Sequence, residues 1–325
     1  MGVMSMNVLV YGGGAVGLGL AACLIKAGAR VSIVARPDTV AHLERDGLLR
    51  TGIFGSFHAA PDAFDAFASL QEIRRAVYDY VLVCTKSFDS LAAARDLAAC
   101  PRLVQQADLV LCQNGWGNAE LFCQHFDRDR VYNARVITGF YRPQKNQSEV
   151  TVHADAIHLG SLFHDRLRGL APLARAISAG DIPCLVSAAI EKDLWAKMLY
   201  NCALNPLGAI FDVTYGTLGA WPSTRAIMDR IVEEIFAVMR ASGYRTHWDS
   251  PQAYRPVFYE QLIPATRAHK SSTWQDIRAN KRTEIDALNG AVIALGGEHG
   301  VAVSANAVVY NMIEFMQARN RGQVI

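Results

Sequence analysis

The sequence lacks the cysteine patterns that build disulfide frameworks or zinc sites. Its seven cysteines are an odd number, no two form a CxxC pair, and most lie in apolar runs such as "YVLVCTK" and "LVLCQNG". Cysteines of this kind are typical of buried free thiols in a reducing compartment. We therefore predict a cytoplasmic protein without a structural metal.

The sequence is also poor in charge. Charged residues make up 19% of the 325 residues, the formal net charge is +2, and basic clusters such as "ANKRTE" are short. A chain that binds nucleic acid or an anionic membrane through electrostatics carries a larger basic excess. The hydrophobic content of 51% is typical of well-packed globular domains, and the length allows two of them. We expect a small-molecule partner, and neither nucleic acid nor a membrane.

One run without any charge, from Val8 to Ile25, has the length of a membrane span. Glycines interrupt the run, and no basic segment precedes it. It is therefore predicted to be neither a signal peptide nor a membrane anchor. Met1, Met4 and Met6 are alternative starts of the chain.

The same glycines form a dinucleotide-binding pattern. The stretch "NVLVYGGGAVGLGLAACLIKAGARVSIVAR" predicts a strand, a turn, a helix and a second strand, with Gly12, Gly14 and Gly17 spaced as GxGxxG. In this motif the first glycine permits a tight turn, the second lets backbone approach a pyrophosphate, and the third lets the helix pack on the strand. Ala15 and Val16 open the helix, whose free N–H groups attract phosphate. The pattern predicts a Rossmann-type fold.

The end of the second strand bears on the choice between NAD and NADP. Arg36 stands where NAD-specific sites usually place a carboxylate for the ribose 2′-hydroxyl, and an arginine suits a 2′-phosphate instead. Asp38 lies close by and keeps NAD open as an alternative. We predict NADP (NADPH) as the cofactor.

Two further predicted strands end in polar loops. "YDYVLVCTKSFDS" leads to Thr85 and Lys86, and "ADLVLCQNGWGN" leads to Gln113, Asn114 and Gly115. Ligands of open α/β sheets bind beyond the carboxyl ends of strands, so these residues are candidates for a cofactor crevice. Taken singly, Lys86 is equally a solvated lysine, and Asn114-Gly115 a plain turn.

The pattern of elements changes near residue 189. Residues 130–188 are strand-rich and are predicted to close the first domain as an antiparallel extension, whereas four helical segments follow Ala189. Alternating strands and helices followed by helices alone indicate two domains. We predict an α/β fold with a Rossmann-type NADP-binding domain at residues 1–188 and an all-α substrate domain at residues 189–325.

The first helical segment contains "WAKMLYNCALNP", in which Lys197, Asn201 and Asn205 recur every four residues among apolar side chains. Steps of four place side chains on one face of a helix. Pro206 cannot donate a backbone hydrogen bond, so it leaves the carbonyl of Cys202 unpaired. A stripe of one ammonium and two carboxamides suits a ligand site better than a core.

The third helical segment carries a second polar series. Ser272 and Gln275 are predicted to form a capping box at its start. The series then continues in steps of four along one predicted face: Ser272, Asp276, Asn280 and Glu284. Asp276 and Asn280 are expected to be solvated, whereas the apolar neighbours of Glu284 predict a partly buried carboxylate. A lysine and a carboxylate on two helices can serve the reduction of a ketone, because an ammonium both stabilises and protonates the oxygen.

Together these segments resemble the ketopantoate reductase family. The resemblance covers nearly the whole chain and rests on "GGGAVG", "TK" at 85–86, "QNG" at 113–115, "AKMLYNCALNPL" at 196–207 and "SSTWQDIRANKRTEIDALNG" at 271–290. The last two stretches are more specific than the glycine motif, because their polar residues have fixed spacing. The resemblance implies NADPH-dependent reduction of 2-dehydropantoate (ketopantoate) to pantoate, a step towards pantothenate and coenzyme A.

The resemblance also implies a role for each matching residue. Lys197 corresponds to the family's proton donor, and Glu284 to a catalytic carboxylate near the nicotinamide end of the cofactor. Asn114 corresponds to an asparagine that meets both cofactor and substrate. The substrate-binding positions correspond to Asn201, Asn205 and Ser272. The phosphate and adenosine-ribose contacts correspond to Gly12, Gly14, Gly17, Arg36 and Lys86.

Three features depart from the family pattern. Tyr215 stands where some members carry a further asparagine, Trp116 is bulky for the nicotinamide loop, and Thr273-Trp274 replaces smaller aliphatic pairs. Two alternatives therefore stay open: a paralogue that reduces another 2-keto acid with the same machinery, and a non-catalytic dinucleotide-binding redox sensor. A sensor has no need of the polar stripe, which argues against it. A helical domain of this kind can support a homodimer.

Overall fold

The computed structural model describes residues 6–74 and 77–323, and the alternative starts Met1 and Met4 lie outside these ranges. The chain divides into two compact units. The first unit runs to Gln113 and resumes from Asn118 to Ile190. The second unit comprises Asn114–Gly117 and the chain from Glu191 onward.

The first unit is built on two sheets. Its strands, in chain order, are β1 (Asn7–Tyr11), β2 (Arg30–Val34), β3 (Leu48–Gly52), β4 (Phe57–Ala59), β5 (Asp65–Phe67), β6 (Tyr80–Val83), β7 (Asp108–Leu111), β8 (Val131–Arg135), β9 (Thr138–Tyr141), β10 (Gln147–His153), β11 (Ile157–Gly160) and β12 (Cys184–Val186). The larger sheet has the order β12-β11-β8-β7-β6-β1-β2-β5, and the smaller sheet has the order β4-β3-β10-β9.

The larger sheet has the strand order of a Rossmann-type fold. From β5 to β8 every neighbouring pair is parallel, and β1 lies between β2 and β6. The chain therefore extends the sheet first on one side of β1 and then on the other, which makes the edge of β1 and β6 the switch point where such folds bind dinucleotides. The predicted fold class is confirmed.

The helices of this unit cover both faces of the larger sheet. They are α1 (Ala15–Lys26), α2 (Pro37–Asp46), α3 (Ser90–Ala98), α4 (Pro101–Val104), α5 (Asn118–Phe122) and α6 (Leu170–Ala179). Side chains alternate between the two faces of a strand, so Val8 and Val10 of β1 lie in one apolar core and Leu9 in another. Such burial on both faces explains why β1 is an uninterrupted apolar run.

The predicted antiparallel extension is only partly right. β8 is parallel to β7, and β11 alone pairs antiparallel with it. β9 and β10 leave the larger sheet and join β3, and α6 forms within the stretch that was predicted to be strand-rich. An alternating pattern predicts a strand, but the choice of partner depends on residues far away in the chain.

The described part of the second unit contains helices and no strand, as predicted. Its α-helices are α7 (Ile190–Ile210), α8 (Tyr215–Ala220), α9 (Pro222–Ser242), α10 (Pro251–Val257), α11 (Ile263–Ala265), α12 (Ser272–Arg278), α13 (Asn289–Glu298) and α14 (Ser304–Asn320). Apolar side chains of α7 and α9, including Trp195, Leu199 and Ile235, are completely buried.

The third predicted helix is broken, which overturns the polar face assigned to it. α12 ends at Arg278, Asn280 is exposed with a left-handed φ of 54°, and α13 begins only at Asn289. Glu284 lies between them, just before a 3-10 turn at Ile285–Ala287. Ser272 and Glu284 therefore do not share a helix face, because burial of Ile285 takes precedence over helical continuity.

The uncharged run from Val8 to Ile25 folds as β1, the glycine turn and most of α1. Within residues 6–74 and 77–323, no helix combines the length and apolarity that crossing a membrane requires. The seven cysteines are all free thiols.

Candidate active site

The glycine turn after β1 has the geometry that the motif predicts. Gly12 has a φ of +117°, and a Cβ there would lie 2.7 Å from the backbone of Cys84 and Thr85. A Cβ at Gly17 would lie 2.0 Å from the carbonyl oxygen of Gly12. At Gly14 a Cβ would meet nothing closer than 3.9 Å, so this backbone stays open. The turn fits a dinucleotide pyrophosphate.

Lys86 and the first turn of α1 lie at the carboxyl edge of the same sheet. Ala15 and Val16 begin α1 and are half-buried, and the first N–H groups of a helix have no partner within it. Lys86 follows β6, and its carbonyl accepts a hydrogen bond of 3.3 Å from Nε2 of Gln113, which follows β7. Gln113 also donates to Oγ of Ser90 over 2.8 Å and so ties the two loops together.

Arg36 lies two residues beyond β2. It is the N-cap residue of α2, and its side chain is exposed. Its guanidinium is therefore accessible to an anionic group at the edge of the larger sheet.

In the second unit, Lys197 and Glu284 meet at Asn114. Nζ of Lys197 donates to Oδ1 of Asn114 over 2.7 Å, and Nδ2 of Asn114 donates to Oε2 of Glu284 over 2.9 Å. A carboxamide accepts on one arm and donates on the other, so one side chain serves an ammonium and a carboxylate at once. Glu284 is only 6% exposed, which confirms its predicted burial, and Lys197 is half-buried.

The loop that carries Asn114 is held in place by its next two residues. Gly115 has a φ of +88° and lies against Ala287, whose carbonyl accepts a hydrogen bond of 2.9 Å from the backbone N–H of Trp116. The indole of Trp116 packs on Trp195 and Tyr244, with ring centroids 4.7 and 4.8 Å apart. Trp116 is 8% exposed and anchors the loop. This role is not readable from the sequence, because the partners lie far along the chain.

Glu284 is held by its two neighbours. The backbone N–H of Thr283 donates to Oε1 of Gln317 on α14 over 2.6 Å. Ile285 is completely buried in an apolar cluster with Ala209 and Ile313. The carboxylate therefore extends from a loop that is fixed on both sides.

The stripe on α7 is present as predicted. Lys197, Asn201 and Asn205 lie on one uninterrupted helix, and Asn201 and Asn205 are 9% and 3% exposed. The two ends of the stripe are about 12 Å apart along the helix axis, at 1.5 Å per residue. The hydroxyl of Tyr215 donates to Oδ1 of Asn205 over 2.6 Å. Burial raises the pKa of Tyr215 well above its usual value, so the hydroxyl keeps its proton.

The predicted capping box at Ser272 is wrong by one residue. The N-cap of α12 is Ser271, whose Oγ accepts from the backbone N–H of Trp274 and donates to the carbonyl of Asn205, both over 3.0 Å. Ser272 is the first helical residue and is half-buried. Asp276 is 9% exposed, against the expected solvation. Ser271 brings the start of α12, with Ser272, to the Asn205 end of the stripe.

The carbonyl that Pro206 leaves unpaired is satisfied inside the protein. Nδ2 of Asn289 donates to the carbonyl of Cys202 over 3.2 Å and to Oδ1 of Asn306 over 3.0 Å. Nδ2 of Asn306 in turn donates to Oε2 of Glu234 over 2.9 Å. This feature of the sequence therefore belongs to a buried network and not to a ligand site.

Comparison with known proteins assigns both halves of the chain to one family. Residues 8–162 match the family described as "Ketopantoate reductase PanE/ApbA", and residues 189–317 match "Ketopantoate reductase PanE/ApbA C terminal". A 2-dehydropantoate 2-reductase of Aquifex aeolicus is 32% identical over 321 residues, which are 98% of this chain and 99% of that protein.

Solved structures agree with this match. A crystal structure of a PanE/ApbA family ketopantoate reductase from Ralstonia eutropha JMP134 has a TM-score of 0.84 at 29% identity and covers 97% of this chain and 100% of that one. D-mandelate dehydrogenase, solved with NADH and anilino(oxo)acetate, has a TM-score of 0.85 at 20% identity with the same coverage. At that identity the second likeness shows a shared fold alone.

Proposed function

This chain belongs to the ketopantoate reductase family and is an oxidoreductase, and we propose that it reduces 2-dehydropantoate to pantoate with NADPH. In this proposal the reaction is a step of pantothenate and coenzyme A biosynthesis. The observation that carries the proposal is the hydrogen-bonded series Lys197–Asn114–Glu284. It places an ammonium in a partly buried site at one end of a stripe of carboxamides.

NADPH, when bound, supplies a hydride to the ketone carbon. The residues that would hold it are those of the glycine turn with Arg36 and Lys86, and the open backbone at Gly14 supports this assignment. The turn residues are Gly12, Gly14, Ala15, Val16 and Gly17.

Lys197 acts on the ketone oxygen. Negative charge develops there as the carbon is reduced, and an ammonium stabilises that charge and then donates a proton. Asn114 links Lys197 to Glu284, because the oxygen of the amide faces the ammonium while its nitrogen faces the carboxylate. Asn114 thereby keeps the proton donor in one orientation.

The substrate's carboxylate and hydroxyl are assigned to the other end of the stripe. Asn201 and Asn205 offer carboxamides, and Ser272 offers a hydroxyl at the start of α12. A site built to pair a hydroxyl discriminates strongly against an analogue that lacks it, because its polar groups are then left unsatisfied.

One observation favours a second candidate, the reduction of a different 2-keto acid. Tyr215 already donates to Oδ1 of Asn205, so this oxygen has one lone pair fewer to accept a hydrogen bond from a substrate hydroxyl. Oxidation of NADPH against a panel of 2-keto acids separates the candidates. Turnover with none of them would leave the non-catalytic sensor.

The proton-donor role is tested by Lys197→Ala. We expect NADPH binding to be retained and kcat to fall by about 10²–10⁴-fold, the usual contribution of general acid catalysis. Stopped-flow absorbance of NADPH measures kcat, and quenching of tryptophan fluorescence measures binding. Lys192→Ala is the matched control, because Lys192 is an exposed lysine on the same helix.

The control should retain wild-type kcat. A Lys197→Ala enzyme that also retains it would remove lysine from the mechanism, whereas loss of NADPH binding in that variant would indicate a structural role.

A further inference from the structure

Two basic side chains from a distant part of the first unit reach the start of α2, where Arg36 lies. They are Arg142 and Lys145, in the loop between β9 and β10. Nη2 of Arg142 donates to Oγ1 of Thr39 over 2.7 Å. Nζ of Lys145 forms an ion pair of 2.5 Å with Asp38. Asp38 and Thr39 thus contact a loop more than a hundred residues further along the chain.

The loop is held rigidly against α2. Nη2 of Arg142 also donates to the carbonyl of Lys145 over 2.6 Å, which fixes the shape of the loop. Asn146 is 5% exposed, and its Nδ2 donates to the carbonyl of Gly47 at the end of α2 over 2.8 Å. The cations are therefore held in position before any ligand arrives, which lowers the entropic cost of binding.

The same place adjoins the glycine turn. A Cβ at Gly13 would lie 2.5 Å from Cβ of Ala35 and 3.3 Å from Cγ2 of Thr39. A dinucleotide whose pyrophosphate lies on the turn would therefore bring its adenosine ribose to Arg36 and the residues around it.

The charges at this place are unbalanced. Three cations, Arg36, Arg142 and Lys145, surround the single carboxylate of Asp38, which leaves two positive charges in excess. Among the described residues, the buried Nε of Arg142 has no hydrogen-bond partner. A phosphate monoester carries a charge of about −1.5 to −2 at neutral pH and accepts several hydrogen bonds. A group of this kind fits the excess of positive charge.

We propose that Arg142 and Lys145 complete, with Arg36, a binding site for the 2′-phosphate of NADPH. On binding, Lys145 pairs with the phosphate in addition to Asp38, so the carboxylate stays neutralised beside it. The inference rests on the NADPH preference of the proposed function, and it assigns that preference to three residues instead of one.

The surroundings of Arg142 and Asp38 also shift the pKa values of the two groups. Burial lowers the pKa of Arg142, and the positive charge of Arg36 acts in the same direction, while Asp38 opposes it. The hydrogen bond from Lys145 lowers the pKa of Asp38.

The test is calorimetric binding of two probes to the full chain, adenosine 2′,5′-bisphosphate and 5′-AMP, without any keto acid. The variants are Arg36→Ala, Arg142→Ala and Lys145→Ala, with Arg45→Ala as the control at the other end of α2. We expect each of the three to weaken binding of the bisphosphate by about tenfold or more, as for loss of one charge-assisted contact, and to leave 5′-AMP unchanged. Lys145 is half-exposed, so its variant tests the site even if Arg142→Ala fails to fold.

The outcomes separate this inference from the proposed function. If only Arg36→Ala abolishes the preference for the bisphosphate, the NADPH preference stands and the role of Arg142 and Lys145 is refuted. If the wild-type chain binds both probes equally, the NADPH preference and this inference fail together. Ketopantoate turnover is measured separately and does not enter either result.

Discussion

Tyr215 engages one arm of the Asn205 carboxamide. Its hydroxyl donates to Oδ1 of Asn205, and the two side chains are 2% and 3% exposed. Because a carboxamide has its acceptor on one arm and its donors on the other, Nδ2 of Asn205 points away from Tyr215. Asn205 in this state suits a carboxylate or carbonyl oxygen better than a hydroxyl proton. A single residue thus shifts the chemistry of the stripe.

We predict that Tyr215→Phe sharpens discrimination by the substrate hydroxyl. The substitution frees Oδ1 of Asn205, so the ratio of kcat/KM for ketopantoate to that for 2-ketoisovalerate, which lacks the hydroxyl, should rise. The unpaired oxygen should also lower the free energy of unfolding by about 1–3 kcal/mol. Steady-state kinetics and urea unfolding measure the two effects.

Tyr141→Phe is the control for loss of a tyrosine hydroxyl, because Tyr141 is 47% exposed. It should change neither quantity. An unchanged ratio in Tyr215→Phe would mean that Asn205 does not read the substrate hydroxyl.

At the scale of elements, the loop Asn114–Gly117 offers a matched pair of glycines. Gly115 and Gly117 have φ values of +88° and +91°, so both require the left-handed region. A Cβ at Gly115 would lie 2.3 Å from the carbonyl oxygen of Ala287, whereas a Cβ at Gly117 would meet nothing within 4 Å. The two positions require the same left-handed backbone, and they differ only in whether a neighbouring residue lies where a Cβ would be added.

We predict that Gly115→Ala displaces Asn114 and lowers kcat by about 10²-fold, the loss expected from a misplacement of about 1 Å at a catalytic group. Gly117→Ala should cost only the strain of a left-handed alanine, about 1 kcal/mol of stability, with little change in kcat. Kinetics and thermal unfolding of both variants test this. Equal kcat values in the two variants would show that contact with Ala287 does not position Asn114.

Pro206 lies in α7 near its C-terminal end, and a side chain from elsewhere in the chain compensates for the hydrogen bond that it removes. Asn289 pairs the carbonyl of Cys202, and both side chains are completely buried. We predict that Asn289→Leu lowers the free energy of unfolding by about 1–3 kcal/mol, the cost of an unsatisfied buried polar group. In a Pro206→Ala background the same change should cost less, because the new N–H at position 206 can pair that carbonyl. Urea unfolding of the double-mutant cycle measures the difference, and strictly additive effects would contradict this account.

At the scale of the whole molecule, one ion cluster joins distant parts of the first unit. Arg50 of β3 is completely buried and donates to Asp181, to the carbonyl of Gly180 and, over 3.2 Å, to Sγ of Cys23. Lys26, at the end of α1, adds a contact of 2.7 Å to Asp181. The cluster links the smaller sheet to the loop after α6 and to α1. Removing Asp181 leaves the charge of the buried Arg50 guanidinium uncompensated.

We predict that this cluster makes stability fall in acid. Burial raises the pKa of Asp181, but hydrogen bonds from Lys26 and Arg50 outweigh it, and the pKa lies below its ordinary value of 3.8. A carboxyl whose pKa is depressed by folding stabilises the protein above the unfolded pKa and loses this effect as the pH falls through the folded pKa. Asp181→Asn should therefore cost about 3 kcal/mol at pH 7 and flatten the decline below pH 4.

Chemical unfolding between pH 2 and pH 7 measures both effects. Asp129→Asn is the control. Asp129 pairs with Arg166 on the exposed surface, so the substitution should change the free energy of unfolding little. If the free energy of unfolding depends on pH in the same way in Asp181→Asn and in the wild type, Asp181 is not the cause of the loss of stability in acid.

Features that depend on near neighbours in the chain were readable from the sequence alone. The spacing of Gly12, Gly14 and Gly17 and the apolar run of β1 predicted the Rossmann-type unit, because strand, turn and helix follow one another directly. The steps of four from Lys197 to Asn205 predicted a polar stripe, because one helix carries all of it. The resemblance to the ketopantoate reductase family was likewise readable from short stretches, and the family is confirmed.

Tertiary structure alone decided which residues meet. Asn114 and Glu284 are 170 residues apart, and Arg142 and Thr39 are 103 apart, so no local spacing could pair them. The break after α12 also has a distant cause, since Ile285 packs with Ala209 and Ile313 and draws the chain out of the helix. Local patterns report the preferences of a few neighbouring residues, whereas these contacts depend on the packing of whole elements, and burial there outweighs a preference of a few tenths of a kcal/mol per residue.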